Sequence, residues 1–283
     1  MEIEMMNEKE VITSRQNPAV KRVCALCDKK EREKTSLFRF DGIKLFCEAV
    51  ANRVQIEGVY IKESAAKTVE SRISSELCEI GADKIRYVCD SVFDKMSEER
   101  APEGIITVAK YIDKFNKIVT IEKADMPSAN ERVLLLEAIR DPGNLGTIIR
   151  SAAALGVKRV VISSDCADLY NSKTVRASMG GVFHIFVDSV PAELMPDYIE
   201  RLRENGRRVF AAALRDNADV LGEFDLLPDD CFVIGNEGHG LSAAVIDACN
   251  GSVIIPMEEG SESLNAAGAS LILMWEMYRS NRN

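Results

Sequence analysis

Between Val133 and Ile255 six short apolar runs recur, interrupted only by His184 and separated by stretches of helical period: Val133 to Leu136, Val160 to Ile162, Phe183 to Val187, Val209 to Ala213, Cys231 to Ile234 and Val253 to Ile255. A strand with one wet face alternates apolar and polar residues, so runs that are apolar throughout belong to strands covered on both faces. Strands of this kind alternating with helices predict a doubly wound α/β domain with a six-stranded parallel sheet. In such a sheet the strand-to-helix loops share one edge, and ligands bind there.

The last run opens the stretch around which the rest is arranged, Ser252 to Tyr278. Val253, Ile254 and Ile255 end at Pro256, which offers no N–H to a ladder. After an acidic turn, Leu264, Ala267, Gly268, Leu271, Ile272, Trp275 and Tyr278 recur three and four apart, as on one apolar helix face. Ser263 stands where an N-cap belongs.

A second alternation precedes this one. Ile12 to Pro18 reads as extended, and Asn17-Pro18 sets the N-cap and first turn of a helix running to about Arg32. Strand signals at Leu37 to Phe40, Gly58 to Ile61, Ile85 to Cys89 and Ile105 to Ala109 alternate with helices at Ile43 to Arg53, Lys67 to Ile80 and Ser91 to Met96. Residues 11–110 are therefore expected to form a smaller α/β sandwich domain after a disordered start over 1–10. Met126-Pro127-Ser128-Ala129-Asn130 has linker composition, which makes 111–130 the connection to a second domain over 131–283. Two domains suit 283 residues at about 100–200 residues each.

Composition narrows the chemistry. No apolar run approaches the ~18 residues of a membrane span, and the acidic start MEIEMMNEKE is unlike a signal peptide, so the expected location is the cytoplasm and no membrane is expected as partner. The eight Cys follow neither a disulfide framework nor metal-site spacing, and Cys24 with Cys27 falls on a helix as packing thiols. With only His184 and His239, a histidine-based metal site or triad lacks material, and no metal is expected. Chemistry falls to Arg, Asn, Ser, Glu and the backbone. The net charge of −9 disfavours nucleic acid in general. Yet Arg15, Lys21, Arg22, Lys29, Lys30, Arg32, Lys34 and Arg39 gather against only Asp28, Glu31 and Glu33, either as a solvated helix face or as a phosphate-binding patch.

Three loops carry more polar residues and glycine than connection requires. Arg140-Asp141-Pro142-Gly143-Asn144-Leu145-Gly146 leads into a helix closed by Gly156, with Asn144 as candidate cap. Arg150 lies four residues beyond Gly146, and helical side chains lean towards the amino end. Its guanidinium is expected over the helix start, a place that favours a phosphate or a developing oxyanion; the plainer reading is a solvated arginine. Gly235-Asn236-Glu237-Gly238-His239-Gly240 allows backbone to approach a ligand, although it lacks the G-x-G-x-x-G spacing of a dinucleotide site. Glu237 is placed to pair with Arg150 or to take a ligand hydroxyl, whereas His239 reads as a turn residue. The third loop joins Ile255-Pro256-Met257 to Ser263-Leu264-Asn265.

These loops resemble the SpoU (TrmH-like) branch of the SPOUT superfamily of RNA methyltransferases. The matching strings, in the family's order, are NLGTIIRSAAALG from Asn144, KTVRASMGGVFHI from Lys173, VIGNEGHGLS from Val233 and IPMEEGSESLNAAGA from Ile255. ITSRQNPAVKRVCAL from Ile12, with FRFDGIKLFCEAV from Phe38, is similar to the substrate-binding domain of the ribosomal RNA members, which has the ribosomal protein L30e fold. The resemblance implies an α/β knot, in which the last segment threads an earlier loop as a trefoil, and S-adenosylmethionine-dependent 2′-O-methylation of a ribose in RNA, with ribosomal RNA favoured. It further implies a cofactor held by Leu214, Gly235, Asn236, Ile255, Met257 and Leu264, release of S-adenosylhomocysteine, and a homodimer formed through the last helix.

By the same resemblance Arg150, Asn144, Glu237, Ser263 and Asn265 carry catalysis, while Arg15, Lys21, Arg22, Lys29 and Lys30 of the basic cluster are the candidates for contact with RNA. A guanidinium keeps its proton up to pH ~12, so Arg150 is read as a phosphate clamp and alkoxide stabiliser rather than a base. The rival readings are an inactive RNA-binding scaffold, a transfer-RNA ribose methyltransferase, and an unrelated nucleotide-binding protein such as a dehydrogenase.

Overall fold

The computed structural model describes residues 10–129, 131–215, 217–236, 238–258 and 263–280. Residues 1–9 of the start expected to be disordered, and Glu237 of the expected catalytic set, lie outside the described residues. The chain divides into two compact units: Met1–Ile112 with Tyr170–Arg176, and Asp113–Leu169 with Ala177–Asn283.

The first unit is built on strands β1 (Val11–Ile12), β2 (Leu37–Asp41), β3 (Ile56–Lys62), β4 (Ile85–Val88) and β5 (Ile105–Lys110), ordered β1-β4-β3-β5-β2. β1, β4 and β3 run parallel, while β5 is antiparallel to both β3 and β2. Helices α1 (Pro18–Ala25), α2 (Lys29–Thr35), α3 (Ile43–Ala51), α4 (Ala66–Ile80) and α5 (Asp90–Met96) accompany the sheet. Val20, Val23, Leu37, Val92 and Phe93 share one apolar core, and Phe46, Val50, Val59, Ile61 and Ile73 another.

The helix expected from Asn17 to about Arg32 is broken in two. Asn17 caps α1, and Asp28 accepts the Lys30 N–H at 2.9 Å to start α2. Arg32, only 3% exposed, turns back and donates to the carbonyls of Leu26 and Cys27, both at 2.8 Å. It thereby satisfies acceptors that the end of α1 would otherwise orphan. Arg39 is likewise buried in β2, paired with Asp41 at 2.7 Å. Two of the eight basic residues of the amino-terminal cluster are thus internal structural groups, whereas Arg15, Lys21, Arg22, Lys29 and Lys30 are exposed.

In the second unit eight strands, rather than six, make one parallel sheet. They are β6 (Phe115–Lys117), β7 (Val133–Leu136), β8 (Arg159–Ser163), β9 (Phe186–Val190), β10 (Val209–Ala212), β11 (Asp219–Val220), β12 (Cys231–Ile234) and β13 (Gly251–Ile254), in the order β11-β13-β10-β12-β7-β8-β9-β6. The two additions are edge strands. β6 lies in the segment expected to be a linker and pairs with β9; β11 pairs with β13. β9 also begins later than expected, because Gly181–Phe183 forms a 3₁₀ turn.

Helices α6 (Pro142–Ala154), α8 (Met195–Glu204), α9 (Ala243–Ala248) and α10 (Ala266–Ser280) belong to this unit, while α7 (Ser172–Ser178) belongs to the first as far as Arg176. On one face Val133, Leu135, Val161, Val209 and Val233 pack with Tyr198, Ile199, Leu202 and Val245 of α8 and α9. Leu134 and Leu136, pointing the other way, are equally buried, so both faces are covered. Each such side chain contributes about 1.5–3 kcal/mol by leaving water. Among the described residues no helix is long and apolar enough to cross a membrane.

Candidate active site

All eight strands run the same way, so the segments after β7, β10, β12 and β13 emerge at one carboxyl edge. β13, β10 and β12 are neighbours there, and a cavity of about 400 Å³ opens at their ends. After β10 it is lined by Ala213, Leu214 and Arg215, after β12 by Gly235, Asn236 and His239, and after β13 by Ile255 and Met257, with Ser263 and Leu264 closing it ahead of α10. The six residues expected to hold a cofactor, Leu214, Gly235, Asn236, Ile255, Met257 and Leu264, all lie on this wall.

The shape of the wall depends on Gly235. A Cβ there would stand 2.4 Å from the carbonyl carbon of Gly240 and 2.6 Å from the nitrogen of Leu241, inside the contact distance of any real side chain. The turn is closed by the Gly240 N–H donating to Asn236 O at 2.8 Å, with an isolated bridge between the two residues. Asn236 spends its side chain on the protein: Nδ2 donates to Ala138 O at 3.0 Å and Oδ1 accepts the Gly238 N–H at 2.8 Å.

Ala138, in the loop after β7, has φ +55°, a left-handed conformation unfavourable for a side chain with Cβ. It is held from both ends, its N–H donating to Ser163 Oγ at 2.9 Å while its carbonyl takes Asn236. Glu137 accepts from the backbone N–H and hydroxyl of Ser242 at 2.8 and 2.7 Å, tying this loop to the start of α9. Neither Ser163 nor Glu137 was singled out by sequence reasoning, because each acts through a partner remote in the chain.

Two caps differ from expectation. Asp141, not Asn144, caps α6 and accepts the Asn144 N–H at 2.7 Å. Asn265, not Ser263, caps α10 through the Ala267 N–H at 2.9 Å. Asn144 and Asn265 nevertheless meet directly, Asn265 Nδ2 donating to Asn144 Oδ1 at 3.1 Å. That contact joins the amino ends of α6 and α10, which pack on each other.

Because α6 begins at Pro142, Arg150 stands about 12 Å along the helix from its start at 1.5 Å per residue. An acid, Asp141, already occupies the anion position there. Arg150 is therefore not a helix-terminus anion site; it is an exposed guanidinium that no described residue engages. Its backbone is fixed by Gly181, where a Cβ would stand 3.0 Å from Arg150 Cα and 3.1 Å from Ile149 O. Ser263 is exposed at the cavity rim. Burial pushes the Cys231 thiol up to about 11 and the Cys249 thiol up to about 12, which makes them packing groups rather than nucleophiles.

A parallel sheet with a small-molecule cavity at the ends of three neighbouring strands defines an α/β ligand-binding domain. The description of the SpoU rRNA Methylase family matches residues 131–275, and that of the MRM3-like substrate binding domain matches residues 17–107. The chain belongs to the SpoU rRNA methylase family. It is 33% identical over 266 residues to the 23S rRNA (guanosine(2553)-2'-O)-methyltransferase RlmP of Bacillus subtilis, covering 94% of this chain and 98% of that one. Among solved structures, an RNA 2'-O ribose methyltransferase superposes with a TM-score of 0.80 at 26% identity, over 97% of this chain and 100% of that one. The AdoMet-bound rRNA methyltransferase from Sinorhizobium meliloti gives 0.80 at 27% identity, over 95% and 97%.

Proposed function

We propose that this protein methylates a ribose 2′-hydroxyl of RNA, in the first place 23S ribosomal RNA, using S-adenosylmethionine bound at the ends of β13, β10 and β12. The observation that carries the reading is the cavity itself. Its volume of about 400 Å³ lies within the ~300–1,000 Å³ of small-molecule sites, and its lining of Leu, Ile, Val, Ala and Gly with strand-end backbone suits a nucleoside with an apolar linker. The names of the Bacillus subtilis relative and of the S-adenosylmethionine-bound neighbour support the substrate and cofactor.

When bound, the cofactor supplies an electrophilic methyl group. Leu214, Ile255, Met257 and Leu264 would hold it by apolar contact, and Gly235 by backbone. Arg150 keeps its proton and clamps an RNA phosphate while stabilising the negative charge that builds on the ribose oxygen as the hydroxyl proton passes to solvent water. Asn144 and Asn265 act as one unit that orients the two helix starts, and Ser263 and Glu237 complete the catalytic set. Arg15, Lys21, Arg22, Lys29 and Lys30 supply phosphate contacts in the first unit.

Three further readings belong to this proposal. α10 leaves Leu271, Ile272 and Trp275 exposed at 46%, 36% and 51%, an apolar face that a second copy of the chain would cover. Placement of β13 beyond β10, with α10 packed back on α6 and β12, supports the trefoil threading of the family, and a ribosomal RNA substrate supports a cytoplasmic location. The test is Arg150→Ala. S-adenosylhomocysteine affinity and melting temperature should stay at wild-type values, because Arg150 supports neither the cavity nor the core, while methyl transfer to ribosomal RNA should fall at least 100-fold, taking about 2.7 kcal/mol as the loss of one stabilising group. Undiminished transfer would overturn the assignment.

A further inference from the structure

The cavity wall is mostly apolar, and few of its lining residues carry a polar side chain. Asn236 bonds Ala138 and Gly238, one through each end of its amide. Of the polar side chains among the described lining residues, Arg215, Asn236, His239 and Ser263, only Arg215 carries a permanent charge. No described residue engages its guanidinium, and the side chain is exposed at the cavity mouth. Its backbone is anchored on both sides. Ala213 donates to Val253 O at 3.2 Å before it, and the Arg215 carbonyl accepts the Ala218 N–H at 3.1 Å after it.

Resting on the cofactor reading above, we propose that Arg215 recognises the carboxylate of the amino-acid end of the ligand held in this cavity. The argument is one of solvation. A thioether loses little on entering an apolar pocket and the polar edges of a nucleoside can be met by strand-end backbone, but a carboxylate that gives up water without a cation or a set of donors loses far more free energy. Arginine is the side chain whose planar donors match a carboxylate two for two. At the mouth it meets that group without being buried itself. Arg215 thus makes the site selective for a ligand with an intact amino-acid end, and places that end at the opening.

The experiment compares two probes by titration calorimetry on the full-length chain. One is S-adenosylhomocysteine; the other is its decarboxylated form, S-adenosyl-3-thiopropylamine, which keeps the nucleoside, the sulfur and the ammonium. For the wild type the carboxylate should strengthen binding about tenfold, as one partly exposed charge-assisted contact allows. Arg215→Gln should lose that preference, weakening S-adenosylhomocysteine about tenfold and leaving the decarboxylated probe within twofold. Arg215→Lys should recover part of it. Equal weakening of both probes would make Arg215 a plain piece of wall and overturn the inference. Unchanged S-adenosylhomocysteine binding with weakened RNA binding would assign Arg215 to a phosphate and overturn it equally. If the wild type binds neither probe, the cofactor reading itself falls; if it binds and Arg215→Gln matches it, only the inference falls.

Discussion

Gly235→Ala adds one methyl group to the chain and asks whether the turn after β12 is what shapes the cavity. The new Cβ would lie 2.4 Å from the Gly240 carbonyl carbon and 2.5 Å from its oxygen. Ordinary carbon contacts sit at about 3.5–4.0 Å, so one strand of the turn must retreat by about 1 Å. Both atoms belong to backbone, which leaves no flexible side-chain end to swing aside. Retreat breaks the Gly240-to-Asn236 hydrogen bond and strains the bond from Asn236 to Ala138. Overpacking of this kind costs about 1–3 kcal/mol, and if ligand binding must restore the original turn the same energy appears as a 5- to 150-fold loss of affinity. Calorimetry with S-adenosylhomocysteine measures the loss, and a thermal melt should move by a few degrees only, because the sheet beneath is untouched. Gly268→Ala is the control. Nothing lies within 4 Å of a Cβ there, in an exposed helical turn, so it should leave affinity unchanged and stabilise by up to about 1 kcal/mol. Wild-type affinity in Gly235→Ala would refute the claim that this close approach forms the wall.

Replacing Lys21, Arg22, Lys29 and Lys30 together by Gln should weaken RNA binding and flatten the dependence of log affinity on log salt by up to about 3, at ~0.7–0.9 per phosphate contact. An unchanged slope, read by filter binding over a salt series, would move the RNA surface elsewhere. Trp275→Glu should turn a dimer into a monomer in light scattering, by placing a charge in the middle of the exposed face of α10; a mass unchanged between wild type and variant would remove α10 from the interface.

What could be read from the sequence divides along physical lines. Strands such as Val133 to Leu136 announce themselves because four consecutive apolar residues need cover on both faces. Phe115–Lys117 and Asp219–Val220 carry no such pattern, since an edge strand is held by its neighbour's free backbone groups rather than by its own side chains. Charge misled at Arg32 and Arg39. Both are counted with the solvent-facing cluster, yet each is buried where carbonyls or a carboxylate receive it, and no linear pattern separates a buried arginine from an exposed one. Caps were legible as regions but not as residues: Asp141 and Asn265 win over Asn144 and Ser263 by a shift of two or three positions decided by where the helix settles in the core. The cavity residues came into view through motif resemblance. Their convergence on β13, β10 and β12 is a property of strand order, which periodicity does not encode.

Tyr170 belongs by sequence to the span matched as methylase, yet it is part of the first unit. It is 1% exposed there, stacked on Tyr111 at 3.9 Å and near Phe38 at 4.7 Å, and its hydroxyl accepts the Ile112 N–H at 2.9 Å. The consequence is one for protein engineering and for the history of the chain. The two halves are not interchangeable cassettes: a cut at residue 112 would strip Tyr111 and Phe38 of a ring they pack against and leave an apolar tyrosine bare on the excised catalytic half. A graft of the first unit onto another methylase would have to carry Tyr170–Arg176 with it, as a piece of the recipient's own sequence rewritten to suit the newcomer.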